Sequence, residues 1–137
     1  GVRFDQLVEF AGRALTARGL GGTVTAFHPA DQGATPTPQM GAELRTLLAA
    51  NEASASDALL IYFNQGVVTG DWDGPHVSLI GAYDAATDRV LILEVDQEWY
   101  IPYWTPVDVA LQAMLKPTSA EHGPLQGQTG GLVRLAL

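Results

Sequence analysis

Apolar residues in FDQLVEFAGRALTARGLGG recur at helical spacing. Phe4, Leu7, Val8, Ala11 and Leu15 fall on one face, and Gly19 offers a stop, which predicts a helix over 4–18. GTVTAFHP is short and β-branched and predicts a strand over 22–28. ADQGATPTP, rich in Pro and Gly, predicts a loop. PQMGAELRTLLAAN predicts a second helix over 38–51, with Pro38 in its first turn. DALLIYFN is an apolar run of strand length, 57–64, and QGVVTGDWDG is expected to be a loop over 65–74. Two further strands are expected over 76–83 and 89–96, joined by DAATD. IPYWTP breaks the pattern. A third helix is expected over 105–115, with Thr105 as N-cap and Pro106 at its first position. KPTSAEHGPLQGQTG reads as a loop and GLVRLAL as a closing strand.

The predicted order is α-β-α-β-β-β-α-β. Helices precede a run of neighbouring strands that includes a hairpin, which favours an α+β domain with a mostly antiparallel sheet and flanking helices. No Gly-rich loop follows a strand and opens a helix, so a nucleotide-binding fold has no support. No internal repeat or interior linker interrupts the chain, and residues 1–137 are expected to form a single domain.

The hairpin carries the chemistry. With DAATD as the turn and Tyr83 opposite Arg89, His76 falls opposite Asp96 and Ser78 opposite Glu94. Strand alternation then puts His76, Ser78, Glu94 and Asp96 on one face. Directly opposed Cβ atoms lie about 4.5–5.5 Å apart and diagonal ones about 7–8 Å apart, so either acid is within reach of the imidazole. A two-residue slip would pair His76 with Glu94 instead. A one-residue slip would turn the apolar face outward. A carboxylate beside a histidine fixes its tautomer and stabilises the imidazolium, the task of the third member of a catalytic triad. The plain alternative is a strand-end histidine with a surface salt bridge.

Composition narrows the function. Seven Lys and Arg against fifteen Asp and Glu give a formal charge of −8, which argues against nucleic-acid phosphate as a partner. The 137 residues contain no cysteine, so they supply no disulfide, zinc–thiolate site or thiol nucleophile. No apolar run approaches the roughly 20 residues of a membrane span. GVRFDQLVEF lacks the form of a signal peptide. The chain is expected to be soluble and away from membranes. Its compartment stays open, with the cytoplasm slightly favoured.

Other residues invite weaker readings. His28 with Asp31, and His122 with Glu121, match no strong metal-ligand spacing, and we expect surface histidines and no metal site. GDWDG starts like a calcium loop but lacks its later ligands, so it reads as a turn-rich loop with Trp72 as a cleft wall. Trp99, Tyr100, Tyr103 and Trp104 read as core and rim packing, or else as a substrate wall. Ser78 sits two residues from His76 on one strand, poorly placed to be its nucleophile.

The run Gly74-Pro75-His76-Val77-Ser78-Leu79-Ile80-Gly81-Ala82-Tyr83, then Asp88, Leu91-Ile92-Leu93-Glu94-Val95 and Tyr100-Ile101-Pro102-Tyr103-Trp104-Thr105-Pro106 resembles the phytochelatin synthases and their bacterial relatives. That family has G-H-F-S-P-I-G-G-Y, a turn ending in D, L-I-L-D-V-A-R and Y-P-P-x-W-V-P. The likeness is dense over 74–115 and weaker on either side. The resemblance implies a papain-like lobe. It places the catalytic histidine on His76 and the catalytic acid on Glu94, a glutamate where the family has aspartate, with Asp96 as the other choice. The chain departs from the family in the inserted Pro75 and in Asp96-Gln97-Glu98-Trp99, where the family tends to be basic.

The resemblance further implies acyl transfer from glutathione or another γ-glutamyl or small peptide, with Trp72, Gln97 and Tyr100 as candidate substrate contacts. No cofactor is expected. The catalytic cysteine is expected in a segment preceding Gly1, which makes these residues the C-terminal part of a bacterial-type catalytic domain without the separate metal-responsive region. Two functions follow: the His/acid part of a thiol enzyme, inactive alone, or a catalytically dead module that binds a peptide or protein. Either predicts an apolar patch near His76, and a Cys-bearing partner segment or self-association to cover it.

Overall fold

The computed structural model describes residues 1–95, 98 and 100–137. Its chain order is α1 (Phe4–Ala17), β1 (Thr23–Phe27), a 3-10 turn (Pro29–Gln32), α2 (Pro38–Glu52), β2 (Asp57–Asn64), α3 (Gln65–Thr69), β3 (Pro75–Asp84), β4 (Arg89–Leu93), β5 (Tyr103–Pro106), α4 (Val107–Leu115), a 3-10 turn (Ala120–Leu125) and β6 (Gly131–Ala136). The six strands form one sheet in the order β1-β6-β2-β3-β4-β5, with every pairing among the described residues antiparallel. The fold is α+β.

The sheet is covered unequally. On one face, Met40, Leu44 and Leu48 of α2 and Leu111 and Met114 of α4 pack on Leu59, Ile61, Phe63, Ile80 and Ile92. On the other, Phe4 and Ala11 of α1 pack on Tyr62 and Val133. Strand β2 is thus buried on both sides, which is why DALLIYFN is continuously apolar rather than alternating. Helix α1 reaches β1 and β6. Over β3–β5 the same face presents Leu79 opposite Leu93 and Leu91 opposite Trp104, and Leu79 and Trp104 are exposed.

Local chemistry sets the element ends. Gly19 takes a left-handed φ of 65° just past α1, and Leu20 N–H donates to Leu15 O at 3.0 Å. Thr37 caps α2, its hydroxyl accepting from Met40 N–H at 3.2 Å with Pro38 in the first turn.

Several expectations need correction. Residues 65–69, expected in a loop, form α3, because the Asn64 side chain accepts from Val67 N–H at 3.3 Å and Gly70 closes the turn with φ 73°. That cap overrides the poor helix propensity of Val67, Val68 and Thr69. Part of IPYWTP forms β5. As an edge strand it tolerates Pro106 at its end. Thr105 therefore belongs to β5, Pro106 is the N-cap of α4, and the helix begins at Val107. Strand β4 ends at Leu93 rather than at 96, and the expected loop after α4 contains the turn Ala120–Leu125.

The hairpin register is also corrected near its turn. Asp84, not Tyr83, pairs with Arg89, and Tyr83 pairs with Val90. The turn is closed by Thr87 Oγ1 donating to Asp84 at 2.7 Å and by Asp88 at a left-handed φ of 54°. A bulge at Gly81 then absorbs one residue, so Ile80 pairs with Ile92 and Leu79 with Leu93. Tyr83 and Ile80 consequently both face the α2/α4 core, which an uninterrupted one-residue shift would not allow.

Candidate active site

His76 is the second residue of β3 and pairs with Phe63 of the central strand β2. Its ring meets the Phe63 ring edge-on, with centroids 5.6 Å apart. Beyond the Gly81 bulge the β3/β4 register brings Ser78 level with Glu94, which lies one residue past the end of β4. Glu94 is a carboxylate with no exposed side-chain surface, and three donors meet it. His76 Nε2 stands 2.5 Å from Oε2, Ser78 Oγ donates to Oε2 at 3.0 Å, and Tyr103 OH donates to Oε1 at 2.6 Å. An isolated buried carboxylate is very costly, and these donors replace its lost water.

The contact through Nε2 sets the tautomer. Nε2–H donates to Glu94, leaving Nδ1 as the acceptor, and no partner for Nδ1 is present among the described residues. His76 keeps 17% of its side chain exposed and borders a cavity of about 320 Å³ lined also by Val2, Tyr62, Val77, Val95 and Leu125. Burial, then the Glu94 hydrogen bond, raises the Tyr103 hydroxyl far above the ordinary tyrosine range, so it remains a donor at any physiological pH.

The other candidates fall in different places. Asp96 and Gln97 lie outside the described residues. Tyr100 OH donates to Asp71 at 2.7 Å, and that hydrogen bond is the first cause of the phenol's raised pKa. Trp72 is 46% exposed and packs edge-on against His122. Neither Trp72 nor Tyr100 is among the described residues lining the cavity beside His76. Sequence reasoning passed over Tyr103 as a ligand of the acid. Its signal was weak, since it depends on β5 pairing Tyr103 with Ile92, next but one to Glu94.

His28 and His122 are more enclosed than the surface reading expected, with side chains 29% and 19% exposed. His28 bridges Asp31 at 3.0 Å and Thr129 at 2.8 Å and stacks on Phe4, beside a cavity of about 510 Å³. His122 Nε2 donates to the Asp73 carbonyl at 2.7 Å, tying the segment 120–125 to the loop before His76. Among the described residues, no three His, Cys, Asp or Glu side chains gather to hold a metal ion. No helix among them is long and apolar enough to cross a membrane.

An antiparallel α+β domain thus sets a histidine against a buried carboxylate at one end of a central strand. The phytochelatin synthase family model matches residues 9–123, and the chain belongs to that family. No curated protein matches it.

Proposed function

We propose that this chain is the His/acid-bearing C-terminal part of a papain-like thiol acyltransferase or peptidase, acting on glutathione or another γ-glutamyl or small peptide. His76 is its general base and acid, and Glu94 the orienting carboxylate. The observation that carries the reading is the state of the His76 ring: Nε2 is held by a buried acid, and Nδ1 has no partner among the described residues. The family match supports the class of reaction.

The thiol comes from outside these 137 residues, which contain no cysteine. Nδ1 takes its proton, and the thiolate attacks the carbonyl carbon of the scissile peptide bond. The carbon–nitrogen bond breaks, and the amine leaves with the proton from Nδ1. Water, or the amine of a second peptide, attacks the thioester, passes a proton to Nδ1, and the thiol is regenerated. Throughout, Glu94 holds the ring in place and stabilises its cationic form.

One observation favours a second reading. With no cysteine in the chain, a native product that also lacks one is a binding module with the enzyme's fold. The deciding experiment measures glycine release from glutathione by the native gene product and by its His76→Ala variant. Release that disappears in the variant supports the enzyme. No release from a product without cysteine supports the binding module.

A further inference from the structure

Glu94 stands one residue past the end of β4, and its buried carboxylate has lost the water that would otherwise hold it. Its orientation therefore depends on side-chain donors. Two of the three, His76 Nε2 and Ser78 Oγ, converge on the same oxygen, Oε2. With only Oε2 held, Oε1 would keep some freedom to move, and among the described residues Tyr103 is the side chain that bonds it. The Tyr103 hydroxyl, 2.6 Å from Oε1, is the contact that removes this freedom.

Tyr103 is well built for the task. Its backbone is paired to Ile92 of β4, so the phenol rises from a strand hydrogen-bonded to the one that delivers Glu94. Its ring packs against the same core that holds Ile92 and Ile80. A phenol has few rotatable bonds, so it loses little freedom on being held. We propose that Tyr103 is a positioning residue: by anchoring Oε1 of Glu94 it holds Oε2 on His76 Nε2 and so keeps Nδ1 as the free base. The inference rests on the reading of His76 and Glu94 as the working pair. It adds that the pair is incomplete without a third residue from β5.

The test uses the 137-residue chain labelled with nitrogen-15 and follows the three histidine rings by NMR. In the unaltered chain the proton of His76 resides on Nε2 and is shielded from water. Tyr103→Phe keeps the ring and removes the hydroxyl. The expected result is that exchange of the His76 Nε2 proton with water speeds up at least about tenfold, the factor worth one ordinary hydrogen bond. The His76 nitrogen shifts move toward a mixture of tautomers. His28 and His122, held by Thr129 and by the Asp73 carbonyl, serve as internal controls and stay unchanged. A change shared by all three rings marks general loosening and overturns the proposal.

A second variant guards against a packing artefact. Glu94→Asp shortens the carboxylate by one methylene, so it no longer spans Tyr103 and His76 together. In that background Tyr103→Phe is expected to have no further effect on the His76 ring. An undiminished effect means that Tyr103 acts otherwise than through Glu94, and overturns the proposal. An unchanged His76 ring in the single Tyr103→Phe variant overturns it too. If the unaltered chain already carries its His76 proton on Nδ1, the reading of the His76–Glu94 pair itself is wrong, a result distinct from failure of Tyr103 alone.

Discussion

His76 and Glu94 are eighteen residues apart in sequence and 2.5 Å apart in space, joined through Nε2 and Oε2. This contact engages Nε2, and Nδ1 has no partner among the described residues. In the proposed enzyme, His76→Ala is expected to remove general acid–base catalysis, a loss of roughly 10²–10⁴ in kcat. Glu94→Ala is expected to cost more activity than Asp96→Ala. Steady-state kinetics of the three variants checks this, and equal, negligible losses for the two acids would show that neither orients the ring.

Glu94→Ala is also a stability change. It leaves the Ser78 and Tyr103 hydroxyls and the His76 Nε2–H without their acceptor, and Ser78 is almost wholly buried. An unsatisfied buried donor costs about 1–3 kcal/mol, so a total of about 3 kcal/mol is expected from urea unfolding. A loss below about 1 kcal/mol would mean that water fills the gap.

Arg45 of α2 grips Asp88 at the hairpin turn, Nε donating to Oδ1 at 2.9 Å and to Oδ2 at 3.1 Å and a second guanidinium nitrogen donating to Oδ2 at 2.6 Å. The Arg45 hydrogen bond holds the Asp88 carboxyl below its ordinary range. A folded-state pKa below the unfolded value of about 4 gives stability that is present above pH about 4 and is lost as pH falls through the folded value. Asp88→Asn keeps the left-handed turn, which Asn tolerates, and removes the charge. With both side chains about a third or more exposed, the expected loss at pH 7 is only about 1 kcal/mol, shrinking at pH 3. Thermal melts of both proteins across pH 3–7 check the sign.

Gly130 and Gly131 lead into β6 where backbones run very close. A Cβ on Gly130 would overlap the Tyr62 carbonyl, and one on Gly131 the Phe27 carbonyl. Gly130→Ala has no flexible side chain to push aside, so it is expected to destabilise by more than about 2 kcal/mol. Unchanged denaturant midpoints would show that the backbones separate at little cost.

Much of this was legible in the chain, for identifiable reasons. DALLIYFN and the α1 stripe carried unambiguous periodicity, and β2 and α1 lie where the pattern put them. The hairpin was legible except for its bulge, because Gly81 looks like any other strand glycine until Leu93 is seen packed against it. Helix α3 was hidden because it depends on a side-chain cap rather than on propensity. Strand β5 was hidden because two prolines frame it, and with it the Tyr103 contact to Glu94. The likeness around His76 located the pair, but which oxygen meets which nitrogen depends on three strands together.

The open face of β3–β5 makes a prediction about solution behaviour. Leu79 and Trp104 stand exposed beside Leu91 and Leu93. The 137-residue chain alone is expected to bind an apolar dye and to self-associate in sedimentation, and Leu79→Ser to weaken both. A monomer that binds no dye would show that the patch is too small to matter.

The most direct test of the central claim is glycine release from glutathione by the native gene product, with its intact mass measured on the same sample. The account predicts a product carrying a cysteine-bearing segment together with these residues, steady release of glycine, and no release from His76→Ala. A cysteine-bearing product that releases no glycine, or release that survives the loss of His76, would contradict it.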